Sequence, residues 1–516
     1  MHWIASSLIL YAFAVPSSIT GVAYTFNHSG VLLGSVMCIL ATAASACGAL
    51  LLLKLILGAP QGHRRPRMFS DLGALATGRI SGANAALCLQ LTNFVLYQPV
   101  ALLTTASAMQ DAVQPEGETC TNYFIFLVSL VCFAGTQCRE LKYASLLAGI
   151  ALAAGIGVAG LQIYIAAAYS PDHGDTHGKG VGDHENRNRG FEVVWDKPGP
   201  PDPSSSRTAS VEMALSLTTA IWAYVPSLLI AELAFEMESP EHLSRSIALS
   251  AGLNVATFLA VGLSVWCLWE GGVDDPITLS EGWPRSSFAG RLLSSLLCLS
   301  NFVGYCLDSV PLARWCQRRF VPRFSGQWDM RSVGRYALIS APAWVFGVLV
   351  AVFVGSPSGL FVMLSWATAL TVPACNLIFP SIFTLCALGP PPPAARSQAA
   401  LTRSLMSDVE APTPGRCIRQ SITRTEGAIA ACVLLWGLFA LVICTYAAIG
   451  KTFDPIVRGP QVRPFMGALS LTTSRCVRGR CPPHAVSTRS PRVTRSSAAR
   501  AGASTSPKAP SSAALA

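Results

Sequence analysis

Apolar runs of about 20 residues, the length that crosses a hydrocarbon core of roughly 30 Å, follow one another along this chain from Trp3 to Ile449. Where water is absent, such a run satisfies its backbone hydrogen bonds only as a helix or within a closed barrel. Unbroken runs of this length, without period-two alternation, select the helix. The fold class is therefore an all-α polytopic membrane protein. Composition agrees: 51% of residues are AVILMFWYC, only 12% are charged and the mean hydropathy is +0.46. Water-soluble domains carry charge on roughly a quarter of their residues. A length of 516 residues would suggest several soluble domains, but a helical bundle with polar appendages is the simpler account.

Eleven spans are expected: Trp3 to Phe26, Val31 to Leu57, Gly82 to Gln110, Tyr123 to Cys138, Tyr143 to Tyr169, Val211 to Phe235, Ile247 to Trp269, Leu292 to Trp315, Tyr336 to Val354, Leu360 to Leu388, and Ala428 to Ile449. The first lacks a basic flank and a small-residue cleavage site, so it reads as a retained helix rather than a signal peptide. Basic residues in short loops mark the cytoplasmic side. They cluster at Arg64 to Arg79, Arg318 to Arg335 and Arg396 to Arg424, whereas the alternate loops are acidic or nearly neutral, as with Asp111, Glu116 and Glu118. The amino terminus then lies inside. An odd span count leaves the basic tail outside, against the charge rule.

The expected organisation is a first membrane repeat over residues 1–169, a polar extracytoplasmic loop over 170–209 and a second repeat over 210–388. A Pro-rich cytoplasmic loop over 389–427, a further helix over 428–450 and a basic, disordered tail over 451–516 complete it. The net charge of +10 falls between the apolar runs and in the tail, so no nucleic-acid partner is implied. Most of the 17 cysteines lie inside spans, where they act as small hydrophobes. Cys476 and Cys481 could pair if the tail is extracytoplasmic. No cofactor is implied.

Interruptions of apolar helices are informative, because a break at membrane depth persists only where protein or a water-filled cavity takes over the freed backbone groups. The tripeptide Val-Pro-Ser occurs at 15–17 in the first span and again at 225–227 in the sixth. Each places a proline without a donor beside a hydroxyl that competes for backbone bonds. Two corresponding broken helices point to a secondary transporter built from inverted repeats. Half-helix ends offer N–H groups to a carboxylate and carbonyls to an ammonium group or cation. A zwitterionic amino acid fits that pair of ends.

The segment SSITGVAYTFNHSGVLLGSVMCILATAASACGALLLLK resembles the start of the amino acid/auxin permease family, in the APC superfamily. The stretch AIWAYVPSLLIAELAFEMESPEHLSRSI is similar to that family's sixth span through Ala223, Tyr224, Glu232, Met237 and Pro240. FSDLGALATG and NFVGYCLDSVPL, with Tyr305 and Pro311, are similar to two further family segments. The resemblance implies a 5+5 inverted repeat of the LeuT type with discontinuous helices 1 and 6, and transport of amino acids by symport. Pro16, Ser17 and Ser18 stand where the family usually has glycines, Ala23 where a proline is common, and Val225 and Pro226 where it has Gly-His. The plasma membrane and a vacuolar or other endomembrane both suit such a protein.

The substrate expected is a small amino acid. Its carboxylate would meet backbone at Ser17, Ser18, Ile19, Thr20 and Gly21, and its ammonium carbonyls at Ala223, Tyr224 and Val225, with Tyr305 beside them. Tyr97 and Asn301 are further cavity candidates. Ionisable groups inside spans default to functional hypotheses, which singles out Glu232 and Asp308 as coupling carboxyls. Resemblance favours Glu232 and a proton, with sodium the alternative ion. Either acid could instead pair with Arg314.

His173, His177 and His184 alternate with acids between spans 5 and 6 without a spacing that fixes a metal site, and the reading there is a solvated loop. Asn27-His28-Ser29 is a glycosylation sequon expected to be unused in a short turn at the membrane. Intramembrane catalysis would require a GxSxG, GxGD or HExxH signature inside a span; the apolar spans carry none, the one GxGD match, Gly180 to Asp183, falling in the polar loop, so an enzyme is not expected. A non-transporting sensor of the same fold is the remaining alternative.

Overall fold

The computed structural model describes residues 1–59, 66–114, 121–137, 141–169, 203–268, 283–320, 330–354, 357–388 and 423–457. These are helical almost throughout. In chain order the helices are α1 (Trp3–Ser18), α2 (Val22–Leu57), α3 (Phe69–Thr77), α4 (Ile80–Val113), α5 (Thr121–Gly135), α6 (Leu141–Ala168) and α7 (Pro203–Trp222). They continue with α8 (Ile230–Glu236), α9 (Leu243–Leu268), α10 (Phe288–Phe320), α11 (Met330–Val354), α12 (Pro357–Pro373), α13 (Phe379–Leu388) and α14 (Arg424–Val457). Eight stretches among them are long and apolar enough to cross a membrane by length and composition, and α1 and α5 supply shorter apolar helices. The outward faces of α6, α11 and α14 expose Leu146, Leu338 and Leu435. Apolar surface of that extent suits lipid rather than water, and the chain is an integral, multi-pass membrane protein.

Several boundaries differ from the sequence reading. The first expected span is two pieces, α1 and the start of α2, and the turn between the first two spans is a single residue, Gly30, with φ 74°. A side chain there would be strained, which is why glycine occupies it. Asn27, His28 and Ser29 lie in helix rather than in a turn. Helix α7 begins at Pro203, inside the expected loop, and α14 extends past the expected last span at both ends. The residues 170–202, 389–422 and 458–516, with the three histidines and the Cys476 and Cys481 pair, lie outside the described residues.

Short-range chemistry explains the ends. Helix α3 starts where the Asp71 carboxylate accepts the N–H groups of Arg67 (2.8 Å) and Met68 (3.1 Å), and it stops at Gly78 in the left-handed region, φ 63°. This is a capped start and a glycine stop. Glu426 similarly accepts from Thr423 N–H at the start of α14 (2.8 Å) and pairs with Lys54 at the end of α2.

Polar ties gather at two ends of the bundle. At one, Glu236 closes α8 by pairing with Arg314 of α10 and accepting the Leu141 N–H at the start of α6 (3.0 Å). The Arg67 guanidinium lies 4.1 Å from the centre of the Phe235 ring. These bonds bring the ends of α8 and α10 and the start of α6 to one face, the one expected from the loop charges to be cytoplasmic. At the other, Tyr24 of α2 donates to Glu212 of α7, and the His28 ring lies tilted against Tyr24, centroids 4.3 Å apart. Between them lie α1, α4, α10 and the α7–α8 connection, whose side chains form the buried core.

Candidate functional site

Both expected breaks are present, and the first is displaced along the chain. Helix α1 runs through Pro16 to Ser18, and the turn covers Ile19 to Gly21. Pro16 removes one donor, that to the carbonyl of Ala12, and the helix survives for two further residues. Ser18 Oγ donates to the Ala14 carbonyl at 2.8 Å, while Ile19 N–H reaches Val15 at 3.0 Å and Gly21 N–H reaches Ser18 at 3.0 Å. Helix α2 then starts with Gly21 as its cap residue and no side-chain cap. Its first N–H groups have no partner within the helix. A Cβ on Gly21 would come within 2.8 Å of Thr219 on α7, so glycine permits the two broken segments to meet.

The second break falls where the proline predicts. Helix α7 stops at Trp222, Pro226 to Leu228 form one tight turn, and α8 resumes at Ile230. Three side chains hold this gap open. Asn376, in a five-residue π segment (Ala374–Ile378) between α12 and α13, donates through Nδ2 to the Tyr224 carbonyl at 3.0 Å and accepts the Ser227 N–H on Oδ1 at 3.3 Å. Its own carbonyl accepts from Ser227 Oγ at 3.3 Å, and Nδ2 also reaches Ser45 Oγ of α2 at 2.5 Å. One buried amide thus satisfies backbone on both sides of the break, which a helix would otherwise satisfy itself. Gln90 of α4 donates through Nε2 to the Leu228 carbonyl and to Glu232 Oε1, both at 3.3 Å. The Tyr224 hydroxyl bonds Ser250 Oγ at 2.6 Å and the Ile247 carbonyl at 3.2 Å on α9.

Next to this gap is a small, partly open cavity. Phe13 and Ala14 of α1, Asn93 and Tyr97 of α4, Trp222, Val225 and Leu228 around the break, and Val372 of α12 line it. Tyr97 stacks on Trp222 at 5.6 Å and 24°, and Phe13 approaches Tyr97 at 6.2 Å. Asn93 is fixed by its bond to Thr371 Oγ1 at 2.6 Å. No lining side chain among the described residues is charged.

Of the residues expected to hold substrate, Val225 lines the cavity and Thr20 and Gly21 are partly exposed at the first break. Ser18, Ile19, Ala223, Tyr224 and Tyr305 are buried, and the Ser17 side chain lies outside the described residues. Asn301 is buried on α10, and Tyr97 is in the cavity wall. Glu232 is 1% exposed, in the first turn of α8. Asp308 is fully buried midway along α10. The sequence reading missed Asn376 and Gln90, which carry the break, and Phe13 and Trp222, which give the cavity its aromatic wall. No group of three His, Cys, Asp or Glu suited to a metal ion occurs among the described residues.

Comparison with known proteins places a family on this geometry. The family described as transmembrane amino acid transporter protein matches residues 2–401. One solved structure, of Mhp1, a nucleobase-cation-symport-1 family transporter in a closed conformation with bromovinylhydantoin bound, is 13% identical. It aligns over 87% of this chain and 96% of its own, with a TM-score of 0.46. No curated protein matches the chain.

Proposed function

Because the chain belongs to the transmembrane amino acid transporter family, we propose that the cavity beside its broken helices carries an amino acid with an uncharged side chain across the membrane by alternating access. The observation that carries this reading is the cavity wall, aromatic and uncharged, set beside the second break and against α1. A zwitterion brings two charges that need partners. The uncapped N–H groups at the start of α2 suit its carboxylate, and the carbonyls at Ala223 and Val225 suit its ammonium, Tyr224 being taken by Asn376. A charged side chain would find no countercharge against Phe13, Tyr97 and Trp222, and burying it unpaired is costly.

Under this proposal α1, α5 and the α7–α8 pair cross the membrane along with the eight long stretches, making eleven spans. In this reading spans 1 to 5 and 6 to 10 are the inverted repeats and α14 packs outside them. The bundle of spans 1, 2, 6 and 7 rocks against the rest. Coupling is to protons. Glu232 is the carboxyl placed to sense the break, since the amide that bonds it also bonds the Leu228 carbonyl.

Uptake of labelled neutral and charged amino acids by transport-deficient cells, at several external pH values with and without sodium, tests the reading. Neutral amino acids are expected to enter faster from acidic medium whether or not sodium is present. Glu232→Gln at unchanged surface expression is expected to remove that acceleration, slowing acidic uptake about tenfold, equivalent to roughly 1.4 kcal/mol in the barrier. No uptake from protein shown to reach the surface would refute transport. Binding of an amino acid without flux would instead favour a sensor.

A further inference from the structure

Asp308 is a carboxyl in the bundle interior that the proposed cavity does not use, and its surroundings are unusual. It is fully buried, and among the described residues neither carboxyl oxygen has a hydrogen-bond partner. The hydroxyl of Tyr305, one turn away on α10, is likewise buried without a partner. Glu232, equally buried, differs in lying in the first turn of a half-helix and in being bonded by Gln90.

The charged groups nearby do not compensate it. Helices α4, α6, α1, α11 and α5 pack against α10. Over the ranges given above, α1 and α5 carry no Asp, Glu, Lys or Arg. The only such residue in α4 is Asp111, near its far end, in α6 Lys142 at its start, and in α11 Arg331 and Arg335 at its start. On α10 itself Arg314 pairs with Glu236. Buried neutral titratable groups on these helices include Tyr305 and Cys306 on α10, Tyr97 on α4, Cys132 on α5, Tyr11 on α1 and Tyr336 on α11.

Asp308 is also close to the cavity. Gly304, one turn earlier on the same face, lies where a Cβ would sit 3.6 Å from the Tyr97 hydroxyl and 3.9 Å from the Ala12 carbonyl oxygen. That carbonyl is the one that Pro16 deprives of its helical donor, and Tyr97 is part of the cavity wall. Asp308 is thus about one helical turn, roughly 5.4 Å, beyond a polar notch that borders the cavity, on the cytoplasmic side of it.

We propose that Asp308 is a second proton-binding site of this transporter, filled from the outer side and emptied to the inner side once per cycle. This rests on the proton-coupled reading above. In the outward phase hydronium passes a proton to the carboxylate, an O–H bond forming and water departing. The neutral acid is then buried without partners, as here. In the inward phase the O–H bond breaks to cytoplasmic water, leaving hydronium and the carboxylate, which is hydrated while exposed. A carboxylate without donor or cation cannot be closed into the bundle beside bound substrate at comparable cost, so the loaded carrier closes only with the proton in place, and the empty carrier returns with water in place of substrate and the carboxylate hydrated.

Two readouts decide it. In proteoliposomes of the full chain, with the membrane potential clamped at zero and labelled L-alanine and L-leucine as probes, the substrate ratio at which flux reverses is measured against the pH gradient. Each coupled proton contributes about a tenfold ratio per pH unit. Wild type is expected to reverse near a hundredfold ratio per unit, and Asp308→Asn, which mimics the neutral acid, near tenfold with exchange preserved. An unchanged ratio in Asp308→Asn overturns the proposal. Should that variant fail to fold, Asp308→Glu is read in its place, with a ratio near the wild-type value expected and a tenfold ratio overturning it.

Infrared difference spectra of wild type against Asp308→Asn supply the second readout, with Glu232→Gln as control. A protonated-carboxyl C=O band lost only in the Asp308 variant is expected, and a band unaffected by it overturns the proposal. If wild type moves neither probe, transport of these amino acids fails while the infrared comparison still decides whether Asp308 holds a proton.

Discussion

Replacing Asn376 by leucine is expected to abolish uptake and to lower the thermal stability of the purified protein. The side chains are similar in volume, so the change removes chemistry more than packing. Four hydrogen bonds join Asn376 to Tyr224, Ser227 and Ser45, and three of them use its side-chain amide. Without that amide the Tyr224 carbonyl and the Ser227 N–H stay buried in a gap where no helix satisfies them. A buried backbone group left unpaired costs about 1–3 kcal/mol, and two such groups take a large share of a typical stability of roughly 5–15 kcal/mol. The break can relieve the cost by closing into helix only as far as Pro226 allows, and that closure would disturb the cavity wall formed by Trp222, Val225 and Leu228. Uptake and melting temperature of the variant, with surface expression as control, check the expectation. Wild-type uptake in Asn376→Leu would remove Asn376 from the account.

A second large effect is expected at Gly48. Glycine inside a helix costs roughly 0.5–1 kcal/mol relative to alanine, so its place in the middle of α2 needs a reason. The reason is contact: a Cβ there would overlap the Asn376 carbonyl oxygen and lie 3.6 Å from Ser227 Oγ. The obstacle is backbone, which cannot rotate away as a side chain would. Gly48→Ala is expected to destabilise by about 1–3 kcal/mol, as overpacking does, and Gly48→Val more. Both should push α2 away from the π segment that holds the break. Gly149 and Gly252, helical glycines with nothing within 4 Å of a Cβ, provide the contrast, and alanine at either should be neutral or slightly stabilising. Melting temperatures of the four variants settle the matter, and equal effects at Gly48 and Gly149 would contradict the close-approach explanation.

The helical bundle was legible because solvent dictates it: each long apolar run had to be helix. The sixth-span break was legible to within about one turn, since Pro226 cannot donate and α7 stops at Trp222, four residues before it. Pro16 misled by two residues because one missing donor does not end a helix whose following N–H groups still find carbonyls, as Ile19 finds Val15. The break waits for Gly21, where α7 comes close.

Asn376 was invisible for a different reason. Its partner Ser227 is 149 residues away, and the surrounding TVPACNLIFP reads as an ordinary apolar span. The available signal was an amide between Pro373 and Pro380 in a run with no other strongly polar residue. Phe13 and Trp222 read as core because an aromatic that lines a cavity and one that fills a bundle have the same sequence pattern. Tyr97 was the exception, a cavity candidate from the sequence that does line the wall. Glu232 and Asp308 were equally conspicuous as acids in apolar runs. Only their surroundings separate them, one bonded at a half-helix start and the other without a partner.

Counterflow with the purified chain tests the central claim most directly. Proteoliposomes preloaded with unlabelled L-leucine and diluted into a trace of labelled L-leucine, with no gradient of protons, sodium or potential, should show labelled substrate rising above its equilibrium level and then decaying. Only a carrier whose site faces each side in turn produces that overshoot. Label that approaches equilibrium without overshoot, or does not enter at all, from protein shown to be folded would contradict the account, the outcome being the same with L-alanine.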